Sequence, residues 1–123
     1  MKQFLIVFLG GGLGSAMRYW VSKTLNPYFS SFFLGTFTVN ILGCILIGFI
    51  MGLSLKTNLL SQNQILLLVT GFCGGFTTFS AFAMESNLLV KDSNLLHFIF
   101  YTLTSIAVGV LSVTIGLWIS KML

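Results

Sequence analysis

The sequence predicts an all-α integral membrane protein with four transmembrane helices, and three observations carry that prediction. Hydrophobic residues make up 56% of the 123-residue chain and charged residues only 7%, with a mean hydropathy of +1.02. A soluble domain of this size carries far more charge. The apolar residues fall into four long runs, spans 3–23, 32–55, 65–90 and 95–119, each close to the roughly 20 residues that cross a bilayer. The runs use up most of the chain, so 1–123 reads as one four-helix membrane domain. So small a bundle has little room for a site of its own, which points to an oligomer. The net charge of +4 comes from six basic residues spread singly. They form no basic arm for nucleic acid and read as headgroup anchors that snorkel out of the bilayer.

Span one follows Met1-Lys2, which gives the start of the chain the outward form of a signal peptide. The apolar run continues through Tyr19, Trp20 and Val21, so it is read as the first span. Gly10-Gly11-Gly12 and Gly14 allow another backbone to come close, and Gly10-x-x-x-Gly14 is a small-residue packing pattern. The glycines lack the Gly-Lys-Ser/Thr and the preceding strand of a phosphate loop. Arg18 lies near the end of this span beside Tyr19 and Trp20, an interfacial setting. As a lone terminal arginine it reads first as a headgroup anchor. The functional alternatives are a positive charge at the mouth of an anion path and a structural partner for Glu85. Asn26-Pro27, with the only proline, marks a turn in the connector 24–31.

Span two carries Asn40, the most polar residue placed deep in any span. An unpaired amide in hydrocarbon is costly. Asn40 therefore either bonds a neighbouring helix or lines a wet path, where its NH2 donates to anions. Thr36 lies one turn before it on the same face. A short polar connector, 56–64, leads to span three.

Span three contains Gly71, Gly74, Gly75, Thr77, Thr78 and Ser80 in the depth of an apolar run. Vicinal glycines weaken a helix, and hydroxyls offer its backbone alternative hydrogen bonds. The stretch reads as a helix broken near mid-membrane, around 74–78, or as a kinked helix with glycines for packing. Broken helices are tolerated in lipid where the freed backbone faces protein or water, and transporters hold ions there. Phe79 and Phe82 follow at i, i+3 spacing and share one face; core packing is the ordinary use of such a pair. Glu85, the only acidic residue within a span, lies one turn further on. In span four, Tyr101, Ser105 and Ser112 fall within about 40° of one another at helical periodicity. Their thin polar stripe is either hydrogen-bonded packing or the lining of a hydrated route. His97 reads as a solvated interfacial residue. Cys44 and Cys73, inside apolar runs, read as small buried hydrophobes.

Four spans put Lys2, Lys56 and Lys121 on one side and Arg18, Lys23 and Lys91 on the other. Lysine and arginine asymmetry sets orientation, and three against three sets none. A chain without preference inserts both ways, and two opposed copies then pair about an axis in the membrane plane. This recreates the inverted repeats of larger transporters.

Three stretches resemble the signatures of the CrcB/Fluc fluoride channels. They are Gly11-Gly12-Leu13-Gly14-Ser15-Ala16-Met17-Arg18-Tyr19, Gly35-Thr36-Phe37-Thr38-Val39-Asn40-Ile41-Leu42-Gly43, and 71–82 with Glu85 beyond. The resemblance runs over essentially the whole chain. One departure is Ala81, where members often have threonine. The resemblance implies an antiparallel homodimer in a bacterial inner membrane, with two fluoride pores and passive release of cytoplasmic fluoride. It implies that Phe79 and Phe82 line each pore and that Asn40 contributes, with Ser80 among the nearby hydroxyls. It extends to Tyr101 and Ser105 as polar lining and to Arg18 and Glu85 as structural or vestibule residues. It also implies a central Na+ held from both subunits by backbone carbonyls at Gly74 and Thr77. The rival reading is a small dual-topology multidrug exporter, which needs a carboxylate deep in the first helix; that helix has none. A non-transporting assembly subunit is the third. No nucleophile–base pair or carboxylate pair suggests an enzyme.

Overall fold

The computed structural model describes residues 1–28, 32–57 and 60–123. Residues 29–31 and 58–59, inside the expected connectors 24–31 and 56–64, lie outside the described residues. Among the described residues every regular element is helical. Four segments are long and apolar enough to cross a membrane: Lys2–Tyr28, Leu34–Lys56, Gln62–Lys91 and Leu95–Met122, of 27, 23, 30 and 28 residues. At 1.5 Å per residue in an α-helix the shortest already exceeds the roughly 30 Å of hydrocarbon.

Helix α1 (Lys2–Leu25) closes on a single 3-10 turn at Asn26–Tyr28. The Asn26 side-chain oxygen accepts the Gly35 N–H at 2.7 Å. That bond satisfies one of the free N–H groups at the start of α2 (Leu34–Thr57) and sets the two helices side by side. Ser61 then opens α3, residues 62–76, with a capping box: its backbone N–H donates to the Gln64 side chain at 2.8 Å, and its hydroxyl accepts from the Gln64 N–H. Within α3, Gln62–Ile65 is α-helical, Leu66–Cys73 is wound as a π-helix, and Gly74–Phe76 is α-helical again. Helix α4 (Phe79–Lys91) and α5 (Leu95–Met122) follow. A turn with Ser93 at φ 59° joins them, the Asn94 N–H reaching Leu89 O and the Ser93 N–H reaching Val90 O. This is the left-handed helix ending usually given to glycine.

The helices pair as α2 on α5 and α1 on α3, and glycine backbones form both seams. A Cβ on Gly48 would overlap Val113 O, and one on Gly116 would overlap Ile45 O. In the other seam, a Cβ on Gly10 would overlap Leu67 O, one on Gly14 Phe72 O, and one on Gly75 Gly11 O. Close backbone approach of this kind drives helix association in lipid, where apolar burial supplies little. The outward faces are apolar, with Phe8, Leu13, Ile106 and Trp118 among the many large side chains left exposed, as a lipid-facing surface requires. Gly116→Val drives a side chain into the Ile45 carbonyl and the Phe49 N–H. It is expected to abolish the monodisperse peak of detergent-purified protein in size exclusion, because backbone cannot yield as a side-chain tip can.

Candidate functional site

Helical backbone stops at Phe76 and resumes at Phe79. Between them Thr77 (φ −80°, ψ 157°) and Thr78 (φ −150°, ψ 122°) are extended. Gly74 and Gly75 are themselves helical, and no glycine among the described residues has a positive φ, so the interruption uses no glycine-only backbone angle. Freed polar groups in a membrane span must find partners, and here most do. The Thr77 N–H and hydroxyl both donate to Cys73 O, at 2.9 and 2.8 Å. The Thr78 hydroxyl accepts the Ala81 N–H at 3.2 Å and so caps α4; it also lies 3.2 Å from the Ser80 hydroxyl.

Asn40 spans the interruption with both ends of its amide. Its Oδ1 accepts the Thr78 N–H at 2.7 Å, and its Nδ2 donates to Thr78 O at 3.1 Å. The pair fixes which end is nitrogen, since a backbone N–H can only donate. One Nδ2 hydrogen is used in this way, and the second has no acceptor among the described residues. The Gly75 carbonyl accepts from Arg18 Nε at 3.0 Å and from the Ser15 hydroxyl at 3.4 Å. None of the hydrogen bonds at the interruption ends on the carbonyl of Gly74 or of Thr77.

Beside Asn40 lies an open groove of about 330 Å³, between α2, the interruption and α5. Asn40, Thr77, Thr78, Phe79, Phe82 and Ser105 line it, with Cys44, Gly109 and apolar side chains of α2 and α5. Phe79 is 79% exposed, its ring centroid 5.9 Å from that of Phe82 with the planes 47° apart. The Ser105 hydroxyl oxygen is buried and has no hydrogen-bond partner among the described residues.

Behind the groove, Glu85 is buried between two hydroxyls. Thr36 donates to its Oε1 at 2.6 Å and Tyr101 to its Oε2 at 2.8 Å. Tyr101 is fully buried, its ring 5.4 Å from Phe82 and edge-on to Phe32 at 5.1 Å.

The residues singled out from the sequence therefore fall into groups. Asn40, Phe79, Phe82, Ser105 and Thr77 meet at the groove. Tyr101 stands behind it, committed to Glu85, and Ser112 is buried further along the same face of α5. Ser80 is exposed and, like Gly74, is not part of the groove wall. Arg18 is also outside the groove. It serves the Gly75 carbonyl and does not reach Glu85. Two features were not singled out beforehand: the Thr36–Glu85–Tyr101 arrangement and the pairing of Arg18 with α3. The i, i+4 spacing of Thr36 and Asn40 was the available signal for the first, since one face of α2 serves Glu85 and Thr78 at once.

Fold and groove together define a multi-pass helical membrane protein with an open, aromatic-lined and partly polar recess at an interrupted span. The family model described as CrcB-like protein, camphor resistance, matches residues 5–117. Relatives named fluoride-specific ion channel FluC align along nearly the whole chain. The protein from Chlorobium phaeobacteroides is 47% identical over 98% of this chain and 96% of its own length. That from Azobacteroides pseudotrichonymphae is 44% identical over 94% of both. That from Phocaeicola vulgatus is 45% identical over 98% of this chain and all of its own. The chain belongs to the CrcB family.

Proposed function

We propose that this protein is a fluoride-specific ion channel that lets cytoplasmic fluoride leave a bacterial cell through the inner membrane. The observation that carries the reading is the nearly full-length likeness to relatives bearing that name. The chemistry of the groove supports it. Fluoride is small and strongly hydrated, so a pore must replace its water without holding it too tightly. Aromatic faces are negative and their edges positive; Phe79 and Phe82 would present ring edges to the passing ion. The second Nδ2 hydrogen of Asn40 and the unpartnered Ser105 hydroxyl supply donors. The one membrane-embedded carboxylate, Glu85, is held by Thr36 and Tyr101 and so kept from lying bare in the path.

Neutral HF crosses membranes from acid surroundings and ionises inside, where the anion is trapped. A passive leak releases it, aided by the inside-negative potential. The working unit in this reading is an antiparallel pair of chains. The even division of basic residues supports it, as does the open space beside Gly12, where a Cβ meets nothing within 4 Å. Central Na+ would be held by the Gly74 and Thr77 carbonyls of both copies. Among the described residues no hydrogen-bond donor reaches either carbonyl, which fits a hard cation that prefers oxygen ligands. When bound, that cation would neutralise the carbonyl dipoles and tie the two copies together.

Liposomes holding purified protein test the function. Fluoride should leave vesicles rapidly when a potassium ionophore balances charge. Flux of a lipophilic cation instead would indicate an exporter, although α1 contains no carboxylate to drive exchange. Flux of neither would indicate an assembly subunit.

A further inference from the structure

A guanidinium within a membrane span needs a counter-charge or carbonyls to hold it. The chain has two acidic residues, Glu85 and Asp92. Glu85 is taken by Thr36 and Tyr101, and Asp92 sits in the turn after α4. Arg18 instead donates to the Gly75 carbonyl, and Ser15 reaches the same oxygen. That oxygen lies in the last turn of α3, where a helix leaves unpaired carbonyls and partial negative charge. Gly11, Gly14, Ser15 and Arg18 share one face of α1. The two glycines on this face rest directly on the backbone of α3 at Phe72 and Gly75. The seam therefore aims Arg18 at its target, because neither backbone can slide without collision.

We infer that Arg18, assisted by Ser15, is a positioning residue that caps the end of α3 from a neighbouring helix and selects which carbonyls a cation can take. The committed carbonyls are Cys73 to Thr77, Gly75 to Arg18 and Ser15, and Thr78 to Asn40. Those of Gly74 and Thr77 receive no donor among the described residues. Holding Gly75 O also fixes the direction in which its neighbours point. Lysine is a poor substitute, because its ammonium is a mobile, strongly hydrated point charge and lacks the planar fork. This inference rests on the cation reading given above.

The test is the Na+ dependence of thermal unfolding of the purified protein, with a bulky organic cation replacing Na+. Wild type is expected to gain stability with Na+. Arg18→Gln should raise the Na+ concentration at half-effect by about tenfold, and Ser15→Ala by about threefold, tenfold being 1.4 kcal/mol of binding. Arg18→Lys should fall between wild type and Arg18→Gln. An Arg18→Gln protein with the wild-type Na+ midpoint overturns the inference. If that variant cannot be purified, an unshifted midpoint in Ser15→Ala overturns it equally. Wild-type protein that passes fluoride yet ignores Na+ removes the cation reading and this inference with it, and leaves the channel standing.

Discussion

Phe82→Ile is expected to lower fluoride efflux at least about 100-fold while the purified protein keeps its oligomeric state. Isoleucine fills much of the same apolar space, so α4 keeps its seat beside α5. It has no quadrupole, so it can offer the passing ion no positive ring edge. A 100-fold drop asks for about 2.7 kcal/mol at the barrier. Phe82 lies between Phe79, at 5.9 Å, and Tyr101, at 5.4 Å, so its removal breaks a continuous aromatic row. A fluoride electrode outside loaded vesicles measures the effect. Wild-type efflux from a correctly assembled variant would remove Phe82 from the path.

Asn40→Leu is expected to abolish efflux and to lower the thermal midpoint as well. Leucine has the same number and branching of side-chain heavy atoms as asparagine but offers neither donor nor acceptor. The Thr78 N–H, now paired with Asn40, would be left bare at about 1–3 kcal/mol, and the Thr78 C=O, which as the N-cap carbonyl also serves α4, would lose its Asn40 donor. The extended backbone at Thr77–Thr78 then loses the clamp that holds it, and the groove loses a donor. Asn40→Asp separates the two roles. It keeps the acceptor for the Thr78 N–H, yet sets an oxygen against Thr78 O and a negative charge beside the path. It should hold its fold better than Asn40→Leu and still fail to pass fluoride. Normal efflux in either variant would show that the clamp is not needed for conduction.

The four spans were legible because hydropathy and charge report directly on contact with lipid, whichever way each helix turns. Span three shows where that legibility stops. Residues 66–73, Leu-Leu-Leu-Val-Thr-Gly-Phe-Cys, are apolar almost all round, so no periodicity in them could separate a π-helix from an α-helix. The glycines beside them suggested a loosened backbone, but Gly71, Gly74 and Gly75 remain helical. Gly71 and Gly75 spend their missing side chains on contact with α1. Asn40 was legible as an amide that must find partners. That Thr78 supplies both depends on the rotation of α2 against α3, which sequence spacing does not carry. Glu85 was legible as an acid within a span, but neither its burial nor its company was: two hydroxyls meet it, from α2 and α5, and Arg18 goes elsewhere. Tyr101 fell on the expected face of α5, and only the tertiary packing decides that its hydroxyl turns to Glu85 instead of the groove.

The most direct measurement is the halide preference of wild-type protein in vesicles, with fluoride and chloride efflux recorded under identical charge balance. A narrow passage edged by Phe79 and Phe82 with few donors should release fluoride rapidly and retain chloride at the level of protein-free vesicles. Chloride leaving as readily as fluoride would contradict it.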